Sequence, residues 1–291
     1  MATPNLLTDS RIAILGLGLM GGSLALALRG HCAQILGVDP DPDSVAFALE
    51  YQITDLATMH AHEILPQADV VILAAPVRAI INLIRSLPEL HPGKAIIVDV
   101  GSTKSDIVKE MEKLPARFDP VGGHPMCGKE KLALENAEAS LFQEATFTFT
   151  PCRNTSANAR QFANQLALAV GATPFWIDAA THDRWASATS HFTYLVAAAL
   201  TLATSVDAAP LVGPGFRSTT RLASTPPSLM LDILFTNREN ILESLDLFKE
   251  QLDQIRTLLE TNDQDNLQTL LERCVARREQ ITLGESGIEP S

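Results

Sequence analysis

A histidine between two glycines and a proline stands out in this sequence as a group that could move a proton. It is His124, within the segment GGHPMCG at residues 122–128. Glycines let backbone come close to a ligand, so we expect a stiff loop that holds the ring in one place. A neutral imidazole with a pKa of about 7 can accept a hydroxyl proton. A histidine that only fixes a turn would look the same, so the interpretation depends on the rest of the chain.

A dinucleotide-binding pattern, G-x-G-x-x-G, occurs earlier in the chain. It consists of Gly16, Leu17, Gly18, Leu19, Met20 and Gly21. Its glycines would allow a tight turn, a close approach to pyrophosphate and close packing of a helix on a strand. Asp39 follows the next predicted strand, where a carboxylate binds both ribose hydroxyls of NAD and repels the 2′-phosphate of NADP. We therefore expect NAD, with NADP as the alternative if Arg29 or another nearby base accepts the phosphate.

Two further segments carry polar groups that suit a small anionic substrate. Ser102 lies in GSTK, directly after a predicted strand, and can bond to a substrate hydroxyl, to the nicotinamide, or to the first turn of a helix as its N-cap. Arg217 and Arg221 lie four residues apart, so they share a face if that stretch is helical. A guanidinium is the natural bidentate partner of a carboxylate, although a solvated arginine pair would read the same way.

The elements that must position these groups alternate between strands and helices. Short apolar runs predict strands at 11–15, 34–38, 70–74, 95–98, 145–150 and 174–177. Helical spacing occurs between them, as at 23–28 and 77–87. This order predicts an α/β Rossmann-like N-terminal domain over residues 1–178, with a parallel sheet covered on both faces.

The pattern changes after Asp178. Residues 181–206 contain no Gly or Pro and predict one long, mostly buried helix, and 228–261 and 263–278 predict further helices. We therefore expect an all-helical C-terminal domain over 179–291. On the long helix, His182 and His191 are nine residues apart, which places them on opposite faces and argues against one shared site. No metal-binding spacing is present, and no metal site is expected.

Composition limits the classes of function. Hydrophobic residues make up 46% and charged residues 19% of the 291 residues, and the net charge is −12. Such an acidic chain is a poor candidate for binding nucleic acid or anionic membranes. Residues 1–10 have neither a basic nor an apolar region, so we expect no signal peptide, and no apolar run is long enough to predict a membrane span. The four cysteines are widely scattered, which favours reduced thiols and a cytoplasmic location.

Taken together, these segments resemble the prephenate/arogenate dehydrogenase family of tyrosine biosynthesis. The matching stretches, in family order, are GLGLMGGSLA from Gly16, GSTK from Gly101, GGHPMCG from Gly122, Ser190-His191, and GFRSTTRLA from Gly215. The resemblance implies a nucleotide-binding N-terminal domain, a helical C-terminal dimerisation domain that makes a homodimer, and an active site between them.

The resemblance also implies a reaction and residue roles. Hydride leaves C4 of arogenate or prephenate for the nicotinamide, the 4-hydroxyl loses its proton, and carbon dioxide leaves C1 as the ring becomes aromatic. His124 would contact the 4-hydroxyl with help from Ser102, and Arg221 would bind a substrate carboxylate. Arg217, His191 and Tyr194 complete the expected substrate-binding set.

Two departures from the family pattern leave the choice between arogenate and prephenate open. Tyr194 stands where many members have a second histidine, and Ser218 stands where many have aspartate. From the length of the chain we expect no regulatory domain, and any tyrosine feedback is then expected to act at the active site. One alternative is another two-domain 3-hydroxyacid-type dehydrogenase. That class would need a lysine on the long helix as its base, and the predicted helix at 181–206 has none. The other alternative is a non-catalytic NAD-binding redox sensor.

Overall fold

The computed structural model describes residues 6–129 and 131–283. These residues form two compact units, divided between Arg238 and Glu239. The strands are β1 (Arg11–Leu15), β2 (Gln34–Val38), β3 (Leu56–Thr58), β4 (Val70–Leu73), β5 (Ala95–Asp99), β6 (Phe118–Pro125), β7 (Thr146–Pro151) and β8 (Thr173–Trp176). The helices are α1 (Leu19–Leu28), α2 (Pro42–Glu50), α3 (Ala61–Ile64), α4 (Val77–Leu90), α5 (Ser105–Met111), α6 (Ala157–Ala169), α7 (Ala179–Ala186), α8 (Phe192–Ala203), α9 (Pro214–Thr220), α10 (Pro227–Thr236), α11 (Arg238–Glu260) and α12 (Gln264–Leu283).

The strands form one sheet in the order β3-β2-β1-β4-β5-β6-β7-β8. Strands β1 to β6 are parallel, in the doubly wound order of dinucleotide-binding domains. The expectation of a fully parallel sheet is wrong at β7, which runs antiparallel to β6. In its described residues, the connection between those two strands holds short 3₁₀ turns and no crossover helix of the kind that parallel pairing needs. The strand order reverses between β1 and β4, so a crevice for a ligand opens at their carboxyl ends.

Both faces of the sheet are buried, as the sequence predicts. On β1, Ile12 and Ile14 belong to a core cluster that includes side chains of α1 and α6. The intervening Ala13 and Leu15 belong to a second cluster, with side chains of α4 and α5. A strand buried on both faces is continuously apolar, which is why the short Ile/Val/Leu runs identify it.

The histidine segment is part of a strand, so the expectation of a loop there is wrong. Strand β6 runs through Gly122 and His124 to Pro125. A Cβ at Gly123 would lie 2.5 Å from the carbonyl oxygen of Asp99, so only glycine lets β6 approach β5 this closely. Glycine and proline are depleted in strands, so the local sequence favoured a loop, and packing against the neighbouring strand decided otherwise.

The long helix after Asp178 exists but differs from its expected form. It runs without interruption from α7 to α8, and the residues between them, Ser187–His191, form a π-helical turn. It is not mostly buried, since Leu202 is 88% exposed. The single helix expected over 228–261 is divided at Asn237 into α10 and α11. None of the helices within residues 6–129 and 131–283 is long and apolar enough to cross a membrane.

The glycine-rich turn gives a direct test of the packing. A Cβ at Gly21 would lie 1.8 Å from the carbonyl oxygen of Gly16, so Gly21→Ala must push α1 away from β1. We expect a loss of about 3 kcal/mol or more of unfolding free energy, or no folded protein at all. The control is Gly128→Ala, where an added Cβ has no neighbour within 4 Å. Thermal unfolding followed by circular dichroism measures both variants, and equal melting temperatures would contradict the close packing.

Candidate active site

The expected cofactor residues meet at the carboxyl end of β1. Gly16 has φ +101°, and a Cβ there would lie 2.3 Å from the carbonyl oxygen of Ala74, so the turn needs glycine. The Asp39 carboxylate accepts hydrogen bonds from the amides of Leu17 at 2.7 Å and Asp41 at 2.9 Å. The glycine turn and the carboxylate at the end of β2 therefore form one preset unit.

This unit fits a dinucleotide. Gly18 stands just before α1, so no side chain shields the start of that helix, where phosphates bind. The amide of Leu19 donates to the carbonyl of Leu132 at 2.7 Å. A phosphate at this turn would compete with Leu132 for that amide.

A buried ion pair joins the GSTK segment to the strand that carries His124. Lys104 Nζ donates to the Asp99 carboxylate and, at 2.6 Å, to the carbonyl of Gly123. The same carboxylate accepts the amides of Gly101 at 2.8 Å and Gly123 at 3.1 Å. Burial raises the pKa of Asp99 and lowers that of Lys104, and the charge of each partner opposes the shift of the other. This network fixes His124 relative to the GSTK segment.

His124 is hydrogen-bonded to a second histidine, which is bonded to a carboxylate. Its Nδ1 lies 3.0 Å from Nε2 of His182, and Nδ1 of His182 lies 2.9 Å from the Asp183 carboxylate. Asp183 also accepts the amides of Lys104 at 2.7 Å and Ser105 at 2.8 Å, at the start of α5. His182 and Asp183 are both almost fully buried. The N-terminus of a helix thus holds the carboxylate that orients both rings.

The protonation of this chain follows from its partners. Burial opposes ionisation of Asp183, but hydrogen bonds from His182 and Ser105 outweigh it and the pKa lies below its usual value. An ionised carboxylate only accepts, so Nδ1 of His182 carries a proton. In the neutral pair, Nε2 of His182 then accepts from Nδ1 of His124, which leaves Nε2 of His124 as a bare acceptor.

His124 also stays neutral well into the acid range. Burial, and then the neighbouring charges of His182 and Lys104, lower the pKa of His124 well below its usual 6.5. Because the bare Nε2 belongs to the neutral form, the ring remains able to accept a proton at pH values where an exposed histidine would already be charged.

A third histidine, His191, lies in the same cluster. Its Nδ1 is 3.0 Å from Nδ2 of Asn237, which also donates to the carbonyl of Asp183 at 2.7 Å. Nε2 of His191 is buried and has no hydrogen-bond partner among the described residues. Burial lowers the pKa of His191 to about 4, and the Asp183 charge and the Ser102 backbone partly oppose this.

The expectation that His182 and His191 cannot share a site is therefore wrong. It assumed a regular helix of about 100° per residue. The π turn at Ser187–His191 holds one more residue per turn than an α-helix, which rotates the residues after it by about 100°. This rotation turns His191 toward Asn237 and the backbone of Ser102.

The structure decides one of the roles left open for Ser102. Helix α5 begins at Ser105, with Lys104 as its N-cap, and the Asp183 carboxylate accepts its first amides. Ser102 is thus not the N-cap. It is half-buried beside His191, in a position to meet a ligand.

The two arginines and Tyr194 lie on the helical elements that follow the π turn. Arg217 is in α9 and Arg221 begins the 3₁₀ turn after it; both of these elements pack on α8, which carries Tyr194. Both arginines are exposed and Tyr194 is half-buried. No hydrogen bond or ion pair joins Arg217 or Tyr194 to the histidines in the part of the chain that the structure describes.

Sequence reasoning missed the supporting residues. The adjacent pair His182 and Asp183 is a visible signal, since it follows the helix start at Asp178 and combines a ring with a charge. The lysine of GSTK is visible too, although its burial is not. Asn237 lies between two helical patterns and gives no signal of its contact with a residue more than fifty positions earlier.

Comparison with known proteins agrees with this geometry. A family model described as "Prephenate dehydrogenase, nucleotide-binding domain" matches residues 24–174, and one described as "Prephenate dehydrogenase, dimerization domain" matches residues 178–273. The chain belongs to the prephenate dehydrogenase family. Family membership confirms the expected fold class, an α/β nucleotide-binding domain followed by a helical dimerisation domain, and favours neither a 3-hydroxyacid dehydrogenase nor a redox sensor.

Individual relatives of this prephenate dehydrogenase family member extend over nearly the whole chain. The prephenate dehydrogenase of Bacillus subtilis is 33% identical over 96% of this chain and 78% of the relative. The crystal structure of A. aeolicus prephenate dehydrogenase with hydroxyphenyl propionate and NAD+ has a TM-score of 0.87 at 28% identity and covers 95% of this chain and 99% of the other. The Synechocystis arogenate dehydrogenase has a TM-score of 0.80 at 28% identity, with coverages of 93% and 99%.

The histidine pair predicts the effect of His182→Phe. Phenylalanine keeps the edge-on ring contact, now 5.2 Å between the centroids of His124 and His182, but removes the acceptor for Nδ1 of His124. Nε2 of His124 is then no longer held bare, and we expect kcat to fall by about 10- to 100-fold. His60→Phe, on an exposed histidine, is the control. Steady-state dehydrogenase kinetics decide the matter, and an unchanged kcat would show that His182 does not orient His124.

Proposed function

We propose that this protein oxidises and decarboxylates arogenate or prephenate to an aromatic product, with NAD as the hydride acceptor. The observation that carries the proposal is the hydrogen-bonded chain of His124, His182 and Asp183 at the carboxyl edge of a dinucleotide-binding sheet, from which we infer a bare Nε2 on His124. A neutral, half-buried base suits removal of a hydroxyl proton at neutral pH. The family supplies the reaction class, since its members include both prephenate and arogenate dehydrogenases.

In this mechanism His124 takes the proton of the 4-hydroxyl on Nε2. Bound NAD supplies the acceptor for the hydride that leaves C4. His124 becomes positively charged, and the Asp183 carboxylate, reached through His182, stabilises that charge. The bond from C1 to its carboxylate then breaks, carbon dioxide leaves, and the electron pair makes the ring aromatic as the oxygen on C4 takes back the proton from Nε2 of His124. Ser102, beside His191 on the turn after β5, assists at the hydroxyl.

Substrate binding is assigned to four side chains on the helical elements that follow Asp178. We assign Arg221 to a substrate carboxylate, with Arg217, His191 and Tyr194 as further contacts. The packing of the arginine segment on α8 supports this, because that helix continues directly from the π turn that ends at His191. Tyr194 offers a neutral hydroxyl where many relatives place an imidazole, so it is the candidate for the choice between the keto acid and the amino acid side chain.

NAD is proposed over NADP. Asp39 lies at the end of β2, and Asp41 adds a second carboxylate two residues later. Arg29, the base that the sequence left open as a phosphate partner, caps the far end of α1. Ten helical residues separate it from the glycine turn by about 15 Å, too far to neutralise a phosphate beside Asp39. A phosphate of the cofactor that binds the amide of Leu19 would displace the carbonyl of Leu132.

A homodimer through the C-terminal helices is part of the proposal, with the domain boundary at residues 178/179. The two family models meet there, and within the described residues no strand follows Asp178. Large apolar side chains are exposed along α11 at Leu242, Leu245, Leu247, Phe248, Leu252 and Leu259. A second copy of the chain would cover such a surface.

The direct test measures NADH formation with arogenate and with prephenate, each with NAD and with NADP. We expect turnover with at least one substrate and NAD, and loss of about 100-fold or more in kcat for His124→Asn with NAD affinity unchanged. Because the pKa of His124 is lowered, kcat/KM should hold down to pH values below 6.5 and fall only when the ring is protonated. His31→Asn, on an exposed histidine, is the control. Unchanged turnover in His124→Asn would remove His124 from the mechanism, and no turnover with any pair would overturn the function.

The cofactor choice is tested by Asp39→Asn. The amide still accepts a backbone hydrogen bond but no longer repels a phosphate, so the ratio of kcat/KM for NAD to that for NADP should fall by about tenfold or more. Asp43→Asn removes the same charge from an exposed position on α2 and should leave the ratio unchanged. An equal ratio in the two variants would mean that Asp39 does not select the cofactor.

A further inference from the structure

Asn237 is the one buried amide that contacts the histidine cluster, among the residues that the structure describes. It ends α10 and is only 3% exposed. Its Nδ2 donates to the carbonyl of Asp183 at 2.7 Å and lies 3.0 Å from Nδ1 of His191. A carbonyl can only accept, so this contact fixes which end of the amide faces the cluster.

The tautomer of His191 follows from that orientation. The amide nitrogen only donates, so Nδ1 of His191 must be the bare, accepting nitrogen. A neutral imidazole carries one proton, which therefore sits on Nε2. That atom is buried without a hydrogen-bond partner among the described residues, and an unpaired buried donor is costly unless a ligand completes it.

We propose that Asn237 is a positioning residue that makes His191 a neutral hydrogen-bond donor to an oxygen acceptor of the bound substrate or cofactor. The two rings then differ in what Nε2 offers: Nε2 of His191 donates a hydrogen bond, whereas Nε2 of His124 offers a lone pair. Both states originate at Asp183, whose carboxylate orients His182 and whose carbonyl orients Asn237. The division of roles lets one group hold a ligand oxygen while the other removes a proton.

The identity of the ligands rests on the proposed function, but the tautomer does not. The acceptor is a carboxylate or carbonyl oxygen, either on the cyclohexadiene substrate or on the carboxamide of the nicotinamide. A donor that remains neutral binds such an oxygen without competing with Arg221 for its charge. The position of His191 beside the Ser102 backbone places this donor next to the turn that follows β5.

The first experiment records long-range ¹H–¹⁵N correlations of the intact protein with ¹⁵N-labelled histidine, and assigns His191 by loss of its signal in His191→Gln. We expect a proton on Nε2 of His191 in the wild type. In Asn237→Asp the new group has at most one donor where the amide has two, so the proton should move toward Nδ1. A wild-type signal with bare Nε2 would overturn the inference, whether or not the protein turns over any substrate.

The second experiment measures ligand affinity in Asn237→Asp and Asn237→Ala, with Asn82→Asp on the exposed face of α4 as the charge control. Loss of one hydrogen bond should raise either the Kd for NAD alone or the KM for substrate by roughly tenfold, and the arm that changes identifies the acceptor. If Asn237→Asp does not fold, the ligand affinities of Asn237→Ala still test the donor role of His191, and the wild-type spectrum still tests its tautomer. Unchanged affinity for both ligands in a folded Asn237 variant would overturn the donor role.

Discussion

The carboxylate of Asp183 at the start of α5 is the contact on which the geometry of the site depends. It accepts hydrogen bonds from two backbone amides of that helix and from the ring of His182. The backbone carbonyl of Asp183 accepts a hydrogen bond from Asn237. Hydrogen bonds from His182 and from Ser105 and Lys104 lower the pKa of Asp183, which keeps this carboxylate ionised although it is buried. Three elements, α5, α7 and the end of α10, therefore converge on one residue, and a displacement of α7 would disturb the protonation of two histidines at once.

The buried pair of Lys104 and Asp99 fixes the position of β6, as Asp183 fixes the helices around the site. An ion pair that is fully removed from water stabilises little by itself, because desolvation offsets the attraction. Its contribution here is geometric, since Lys104 also binds the carbonyl of Gly123 and Asp99 binds the amide of the same residue. The amide and the carbonyl of Gly123, the residue before His124, are thus both held by hydrogen bonds.

Burial explains why the charges in this site are distributed as they are. Among the described residues, no carboxylate forms a hydrogen bond directly with His124 or His191, and burial lowers the pKa of both rings. Asp183 has several donors and stays ionised. Because both rings are neutral and their tautomers are fixed, His124 can act as an acceptor and His191 as a donor. Two charged rings in one cluster would repel each other and any approaching cation.

The sequence by itself determined the glycine turn, Asp39 and the parallel strands β1, β2, β4 and β5 of the nucleotide-binding domain. The glycine turn, Asp39 and the apolar strands follow local rules of turn geometry and of burial on both faces, so Gly16, Gly21 and His124 could be identified without coordinates. Tertiary structure decided the rest. The strand at His124 depends on a close approach to β5, and the convergence of His182 with His191 depends on a π turn that helical periodicity does not predict. Asn237 contacts its partners only because α10 ends beside α7, and contacts between residues so distant in sequence leave no local pattern.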